Sequence, residues 1–149
     1  MKPILRNLYQ FIRDVAHVLL HGNLDSSDYI ILDDKEVVFA SVAKSACTSI
    51  KTAIAEEPPN SPTIHKHIRE FSHKRIPKDK HSYFVFTYVR NPYERLASCY
   101  RSKFNLEDKS KFLYSHYLFG YMGNNDTFEE FVRKVSKIPD FMCDRHFKS

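Results

Sequence analysis

The chain has 149 residues, of which 42% are hydrophobic and 14% aromatic, so it can bury the core of one domain. Three Gly and the absence of low-complexity tracts argue against a disordered protein. The formal net charge of +5 fits an ordinary basic surface or a site for an anionic ligand, and composition does not choose between them.

The cysteine pattern predicts reduced thiols. Cys47, Cys99 and Cys143 are an odd number and form no C-x-x-C pair, which is typical of the cytosol rather than of a disulfide framework. No apolar run approaches the roughly 20 residues that span a bilayer. We therefore expect a cytoplasmic location.

The first predicted element is an amphipathic helix over residues 3–20. Its apolar positions recur at helical spacing and predict one face packed on the core. Peripheral membrane contact through this helix is the alternative, although its polar face is only weakly basic. The apolar positions are Ile4, Leu5, Leu8, Ile12, Val15 and Leu19.

Two strands and a helix follow. The runs 29–32 and 36–41 predict strands separated by a tight turn at 33–35. The loop 42–47 then leads into a helix from 48 to about 56. Basic, His-rich residues further on have mixed helix and loop character.

The second half begins with the strongest strand signal, at residues 82–89. Asn91 is a good N-cap for a helix to about Phe104, with Pro92 at its first position and Glu94 where a capping box needs it. We expect further helices at 107–119 and at 127–137, the latter capped by Thr127 and Glu130. The order predicts an α/β domain over residues 1–149 with a central parallel sheet flanked by helices, which would bind ligands at the carboxyl ends of its strands.

The loop before the first helix of this α/β pattern has the residues of an anion site. A helix start offers backbone N–H groups and a positive dipole end. Lys44 adds a positive charge, and Thr48 and Ser49 add hydroxyl groups. The loop is not a Walker A motif, because that motif needs Gly and places its Lys directly before the Ser or Thr.

A second candidate anion site follows the strongest strand signal. Arg90 stands at the end of that strand, and Ser98 lies about two turns into the next helix. Arg can bind a phosphate through two parallel hydrogen bonds, and a Ser hydroxyl can complete the contact. Arg101 and Lys103 fit a solvated helix face equally well.

Together these segments resemble the sulfotransferases that use 3′-phosphoadenosine 5′-phosphosulfate (PAPS), in particular the carbohydrate sulfotransferases of the chondroitin and dermatan 4-O type. Residues 43–49 (AKSACTS) resemble that family's 5′-phosphosulfate loop, Pro-Lys-Val-Ala-Cys-Thr-Asn, with Ala43 in place of Pro. Residues 90–103 match its 3′-phosphate motif in full, and residues 144–147 (DRHF) resemble a later Asp-x-His-aromatic motif. Family members normally continue beyond this last segment.

The resemblance implies a P-loop-like three-layer fold and transfer of a sulfuryl group from PAPS to a carbohydrate hydroxyl. Lys44, Ser45, Ala46, Cys47, Thr48 and Ser49 would hold the 5′ end of PAPS, and Arg90 and Ser98 would hold the 3′-phosphate. Lys44 would also offset charge on the leaving group. His67, or else His65, would be the general base, because the wider superfamily often keeps its base in this region.

Other functions stay open at this point. A non-catalytic nucleotide- or polyanion-binding protein is one, and a P-loop kinase-like phosphotransferase is another. Nucleic-acid binding lacks a signature, and the His and Cys spacing predicts no metal site. If the chain is a trimmed eukaryotic enzyme, the Golgi lumen is the alternative location.

Overall fold

The computed structural model describes residues 3–26, 28–55 and 64–148, without the side chains of residues 3, 65 and 66. The chain divides into two compact units. The helical unit combines Met1–Asp25 with Asn91–Ser149, and the sheet unit is Ser26–Arg90. A single domain over the whole chain stays a prediction.

The sheet unit contains a four-stranded mixed sheet. Its strands are β1 (Asp28–Leu32), β2 (Val37–Ser41), β3 (Ser72–His73) and β4 (Phe84–Phe86), in the order β3-β1-β2-β4. β1 is antiparallel to both β2 and β3, whereas β2 and β4 are parallel. The α/β class is thus confirmed. A wholly parallel sheet is not, because the four-residue connection between β1 and β2, residues 33–36, allows only antiparallel pairing.

Strand β4 is much shorter than its sequence signal predicts. Only Phe84–Phe86 pair with β2, and β4 lies at the edge of the sheet, with Phe84 69% exposed. Beyond the strand, Thr87 Oγ1 still donates a hydrogen bond of 2.7 Å to Ala40 O. The chain therefore follows β2 a little further by a side-chain contact before it turns away.

The described part of the sheet unit contains two α-helices. Helix α2 (Cys47–Ile54) ends two residues before the predicted limit, and α3 (Ile64–His67) begins the His-rich segment. Ile50 and Ile54 of α2 pack against the buried core residues Ile30, Phe39 and Ile68. This core fixes α2 on the sheet, and with it the loop that precedes the helix.

Three helices belong to the helical unit: α1 (Pro3–His21), α4 (Pro92–Lys103) and α5 (Phe128–Val135). The caps predicted for α4 and α5 are present. Asn91 Oδ1 accepts from the backbone N–H groups of Tyr93 and Glu94, and the side chain of Thr127 forms a capping box with Glu130.

The helix predicted at 107–119 is wrong. Two short 3-10 turns, at 109–111 and 117–119, replace it, and Leu118 and Phe119 have left-handed backbones at φ 45° and 61°. Phe112, Tyr114 and Tyr117 are all buried in the core. Their spacing of two and three residues does not put three side chains on one helix face, so tertiary packing decides this segment.

Helix α1 is present as predicted, but its predicted core face is not buried. Leu19 is 81% exposed and Ile4 is similarly open. Phe11 instead contacts Phe119 edge to face, with ring centroids 6.4 Å apart, and Asp14 is buried. No helix among the described residues is long and apolar enough to cross a membrane.

Candidate functional site

Two loops leave the sheet from neighbouring parallel strands. Residues 42–46 connect β2 to α2, and residues 87–90 follow β4. Val37, Val38 and Phe39 pair with Phe84, Val85 and Phe86 in parallel register. Both loops therefore start at the same edge of the sheet, where α/β proteins commonly bind ligands.

The backbone of the first loop is unusual for a segment without Gly. Lys44 and Ala46 are left-handed, at φ 65° and 57°. Such a conformation costs a non-Gly residue about 1–2 kcal/mol. Left-handed residues in tight loops turn successive N–H groups toward one side, which makes a concave site for anions. Strain of this kind is concentrated at functional sites in proteins.

The start of α2 has no side-chain cap. Its N-cap residue is Ala46, which makes no side-chain cap hydrogen bond. The first bond into the helix runs from Ile50 N to Ala46 O, at 3.0 Å. The N–H groups of Cys47, Thr48 and Ser49 thus have no carbonyl partner within the helix. They point outward with the positive end of the helix dipole, which favours an anion there.

Ser45 carries a buried hydroxyl group between the two left-handed residues. The side chain is 4% exposed, and its Oγ has no hydrogen-bond partner among the described residues. Its backbone N–H donates to Val42 O at 3.3 Å. A buried hydroxyl without a partner is costly, by about 1–3 kcal/mol. The loop therefore contains a hydroxyl group without a partner among the described residues, next to its backbone N–H groups.

The charged residues of the two loops are accessible. Lys44 is half-buried and Arg90 is exposed, and both belong to the sheet unit. Thr48 and Ser49, in the first turn of α2, are also exposed. The first loop thus combines backbone donors, hydroxyl groups and a cation within six consecutive residues.

Helix α4 differs from α2 at its start, because Asn91 caps it. The N–H groups of Tyr93 and Glu94 already donate to Asn91 Oδ1, at 3.0 and 3.4 Å. Ser98 is half-buried on this helix and belongs to the helical unit. Its predicted participation with Arg90 in one phosphate site stays a prediction.

The two candidate bases lie on one short helix of the sheet unit. His67 is exposed at the end of α3, with its ring centroid 6.4 Å from that of Phe71. His65 lies in the same helix, but its side chain is outside the described part. Helix α3 contacts α2. The choice between the two His residues stays a prediction.

The Asp-x-His-aromatic segment is part of the packing of the helical unit. Asp144 Oδ1 accepts from the backbone N–H of His146 at 2.9 Å and lies 2.6 Å from its Nδ1. Tyr114 donates to the same oxygen at 3.1 Å. Burial pushes the pKa of Asp144 up, but the hydrogen bonds from His146 outweigh it, so the pKa is lowered. With Phe147 in the core, these contacts hold residues 144–147 in place within the helical unit.

Two features of the site escape sequence reasoning. The left-handed backbones of Lys44 and Ala46 have no Gly or Asn to signal them. The role of Thr87, whose hydroxyl donates to Ala40 O and ties the second loop to β2, is not evident from the sequence either. A β-branched polar residue directly after a strand is a weak signal for such a contact.

Comparison with known proteins places the chain in a family. The model of the family described as "Sulfotransferase family" matches residues 27–148. Carbohydrate sulfotransferase 11 of Rattus norvegicus and that of Mus musculus are each 29% identical to the chain over 103 residues, which covers 59% of this chain and 29% of each relative. The Danio rerio protein is 30% identical over 97 residues, covering 55% and 28%.

The chain thus spans less than a third of the length of these curated relatives. No solved structure matches it significantly. The family match covers both predicted anion loops and the Asp-x-His-aromatic segment. It confirms the resemblance inferred from those segments, and the chain belongs to the sulfotransferase family.

Proposed function

We propose that this chain binds PAPS and transfers its sulfuryl group to a hydroxyl of a carbohydrate acceptor. One observation carries the proposal: a strained loop leads into a helix start without a side-chain cap, and the buried Ser45 hydroxyl in that loop has no partner in the described part of the chain. Family membership gives this anion site its chemistry, and the relatives' names supply the carbohydrate acceptor.

The donor set of the first loop fits a 5′-phosphosulfate. This group is anionic and carries only acceptor oxygens on its exposed side. The backbone N–H groups of 46–49 and the hydroxyls of Ser45, Thr48 and Ser49 are donors, and Lys44 adds a positive charge. The N–H of Ser45 already donates to Val42 O. No carboxylate stands within residues 42–55 to repel the ligand.

The second loop would supply the contacts to the 3′-phosphate. Its Arg90 follows the strand beside β2, and Ser98 occupies the matching position of the family motif. Because Asn91 already caps α4, we assign this phosphate to side chains rather than to the helix start. Arg suits the role, since its planar guanidinium binds phosphate through two parallel hydrogen bonds.

The reaction needs little covalent help from the protein. The acceptor oxygen forms a bond to sulfur while the bond from sulfur to the bridging phosphate oxygen breaks. The acceptor proton passes to a base, for which we propose His67 or His65. Lys44 would offset the charge that develops on the leaving phosphate oxygen. By analogy with phosphoryl transfer, positioning and charge stabilisation are the main contributions.

The finer fold assignment is part of the proposal. A loop between a strand and a helix, with a parallel neighbouring strand, is the arrangement of P-loop-like domains, and β2, α2 and β4 have it. We propose the P-loop-like three-layer architecture on this basis. The cytoplasmic location expected from the cysteines stays a prediction, as does the absence of a metal.

Two measurements on the same preparation test the function. The first is the melting temperature with and without 3′-phosphoadenosine 5′-phosphate, because a ligand that binds the folded state raises it. The second is single-turnover transfer of labelled sulfate from PAPS to a panel of unsulfated polysaccharides. We expect a higher melting temperature and labelled polysaccharide. Binding without transfer would contradict the enzyme, and the absence of both would contradict the site.

A further inference from the structure

Helix α1 exposes large apolar side chains over residues 4–12 and again at 19–20. Successive residues of an α-helix are about 100° apart, so the exposed apolar side chains occupy an arc roughly 160° wide. We call this surface the apolar arc. Scattered apolar side chains are normal on protein surfaces, but a contiguous patch marks an interaction site. Its members are Ile4, Leu5, Leu8, Tyr9, Ile12, Leu19 and Leu20.

The opposite side of α1 is the packed side. Phe11 contacts Phe119 there, and Val18 is partly buried. Asp14 is only 8% exposed, and its Oδ1 accepts a hydrogen bond of 2.9 Å from Gln10 Nε2. Asp14 is also the single acidic residue in the sequence of α1. The helix thus keeps its one carboxylate on the packed side.

The exposed part of α1 displays cations beside the apolar arc. Arg6 and Arg13 are exposed, and the helical geometry places both within about 40° of one border of the arc. Arg13 lies 3.9 Å from the Asp14 carboxylate, yet its side chain is 63% exposed. Apolar and cationic groups, without an exposed carboxylate, form a surface complementary to anionic lipid.

We propose that α1 attaches this protein to the surface of an anionic lipid bilayer. The helix would lie in the plane of the interface, with the apolar arc among the headgroups and upper acyl chains. Arg6 and Arg13 would contact lipid phosphates and carboxylates. From Ile4 to Leu19 the arc extends about 22 Å along the helix axis. This role is independent of the proposed sulfuryl transfer.

Vesicle flotation with the full chain tests the attachment. Vesicles of phosphatidylcholine alone are compared with vesicles that also contain phosphatidylserine. The variant Leu19→Glu places a charge within the apolar arc. Its matched control is Leu113→Glu, the same change at a leucine that is 64% exposed but lies outside α1. We expect the wild type and the control to float with the anionic vesicles, and Leu19→Glu to bind about tenfold or more weakly.

A second variant tests the charge complementarity. Replacing both Arg6 and Arg13 by Gln is expected to remove most of the gain that phosphatidylserine gives. Absence of the wild type from floated vesicles overturns the proposal, as does equal loss in Leu19→Glu and Leu113→Glu. Light scattering measures the oligomeric state of the wild type and of Leu19→Glu. A wild-type dimer that becomes a monomer in Leu19→Glu would also overturn the proposal, because the apolar arc would then bind a second copy of the chain. Unchanged melting temperatures are required of every variant used for comparison.

Discussion

The starts of helices α2 and α4 follow neighbouring strands, yet they differ in whether a side chain accepts hydrogen bonds from their first backbone N–H groups. At α4, Asn91 accepts from two N–H groups. At α2, the N-cap is a left-handed Ala46 with no side-chain hydrogen bond. The comparison indicates a division of roles: the α2 start can bind an anion through its backbone, whereas the α4 segment must use side chains such as Arg90.

The second loop has the stronger sequence motif, whereas the first loop has the more distinctive structure. Residues 90–103 match the family motif in full, whereas residues 43–49 match in part and resemble any lysine before a helix. In the structure, the first loop has the strained backbone and the buried Ser45 hydroxyl. A site that depends on side chains can thus be predicted from the sequence, whereas a site that depends on backbone N–H groups can be recognised only in the structure.

The largest expected effect concerns the cation of the first loop. Lys44→Ala should lower the rate of sulfuryl transfer about 10²–10³-fold, because it removes the charge opposite the leaving oxygen. Single-turnover transfer from labelled PAPS measures the change. Lys35→Ala, in the turn between β1 and β2, is the control and should keep the wild-type rate. Equal rates for the two variants would refute the role of Lys44.

The second effect concerns the side-chain site. Arg90→Ala should weaken binding of 3′-phosphoadenosine 5′-phosphate about 10–100-fold, since a hydrogen bond to a charged group contributes about 1.5–3 kcal/mol. Calorimetric titration measures the affinity. Arg75→Ala, an exposed arginine of the same unit, should bind normally. If Arg90→Ala also binds normally, the second loop does not hold the 3′-phosphate.

The third effect separates the free from the bound protein. Ser45→Ala removes a buried hydroxyl that no described residue hydrogen-bonds, so the free protein should gain about 1–3 kcal/mol of stability. The same change should reduce the melting-temperature rise caused by the nucleotide. Ser82→Ala, at an exposed position, should alter neither quantity. A less stable free Ser45→Ala protein would show that this hydroxyl has a partner.

The fourth effect tests the capped helix. Asn91→Ala should cost about 1 kcal/mol of stability, the usual value for an N-cap. Nucleotide affinity should change little, because the N–H groups of α4 are not assigned to the ligand. Chemical denaturation and calorimetric titration measure the two quantities. A large loss of affinity at unchanged stability would contradict the proposed division of roles.

The smallest effect tests the strain in the first loop. Ala46→Gly should raise stability by about 0.5 kcal/mol, because relief of a left-handed Ala exceeds the entropic cost of Gly. Ala43→Gly, at a buried position outside the left-handed pair, should lower stability instead. Chemical denaturation distinguishes the two signs. Equal losses in both variants would argue against a left-handed Ala46.

Much of the fold follows from local sequence, and the exceptions have tertiary causes. Asn91 and Thr127 mark the starts of α4 and α5 correctly, because capping depends on neighbouring residues alone. The structure of residues 107–119 could not be predicted, since their aromatic side chains pack into a core made by distant parts of the chain. The exposure of the apolar arc of α1 could not be predicted for the same reason, because periodicity identifies an apolar face but not what covers it.

The candidate site divides in the same way. Arg90 can be selected from the sequence because it follows a strand signal and begins a fully matched family motif, and Lys44 because its loop resembles the family's 5′-phosphosulfate loop. The orientation of the backbone around Ser45 cannot be predicted, because neither Ala46 nor Lys44 favours a positive φ.

Amide shifts of the protein labelled with ¹⁵N, titrated with 3′-phosphoadenosine 5′-phosphate, test the proposed backbone site of the first loop most directly. We expect the largest shifts at Ser45–Ser49 and small ones at Tyr93 and Glu94, whereas unchanged signals at Ser45–Ser49 at saturation would contradict the proposed backbone site.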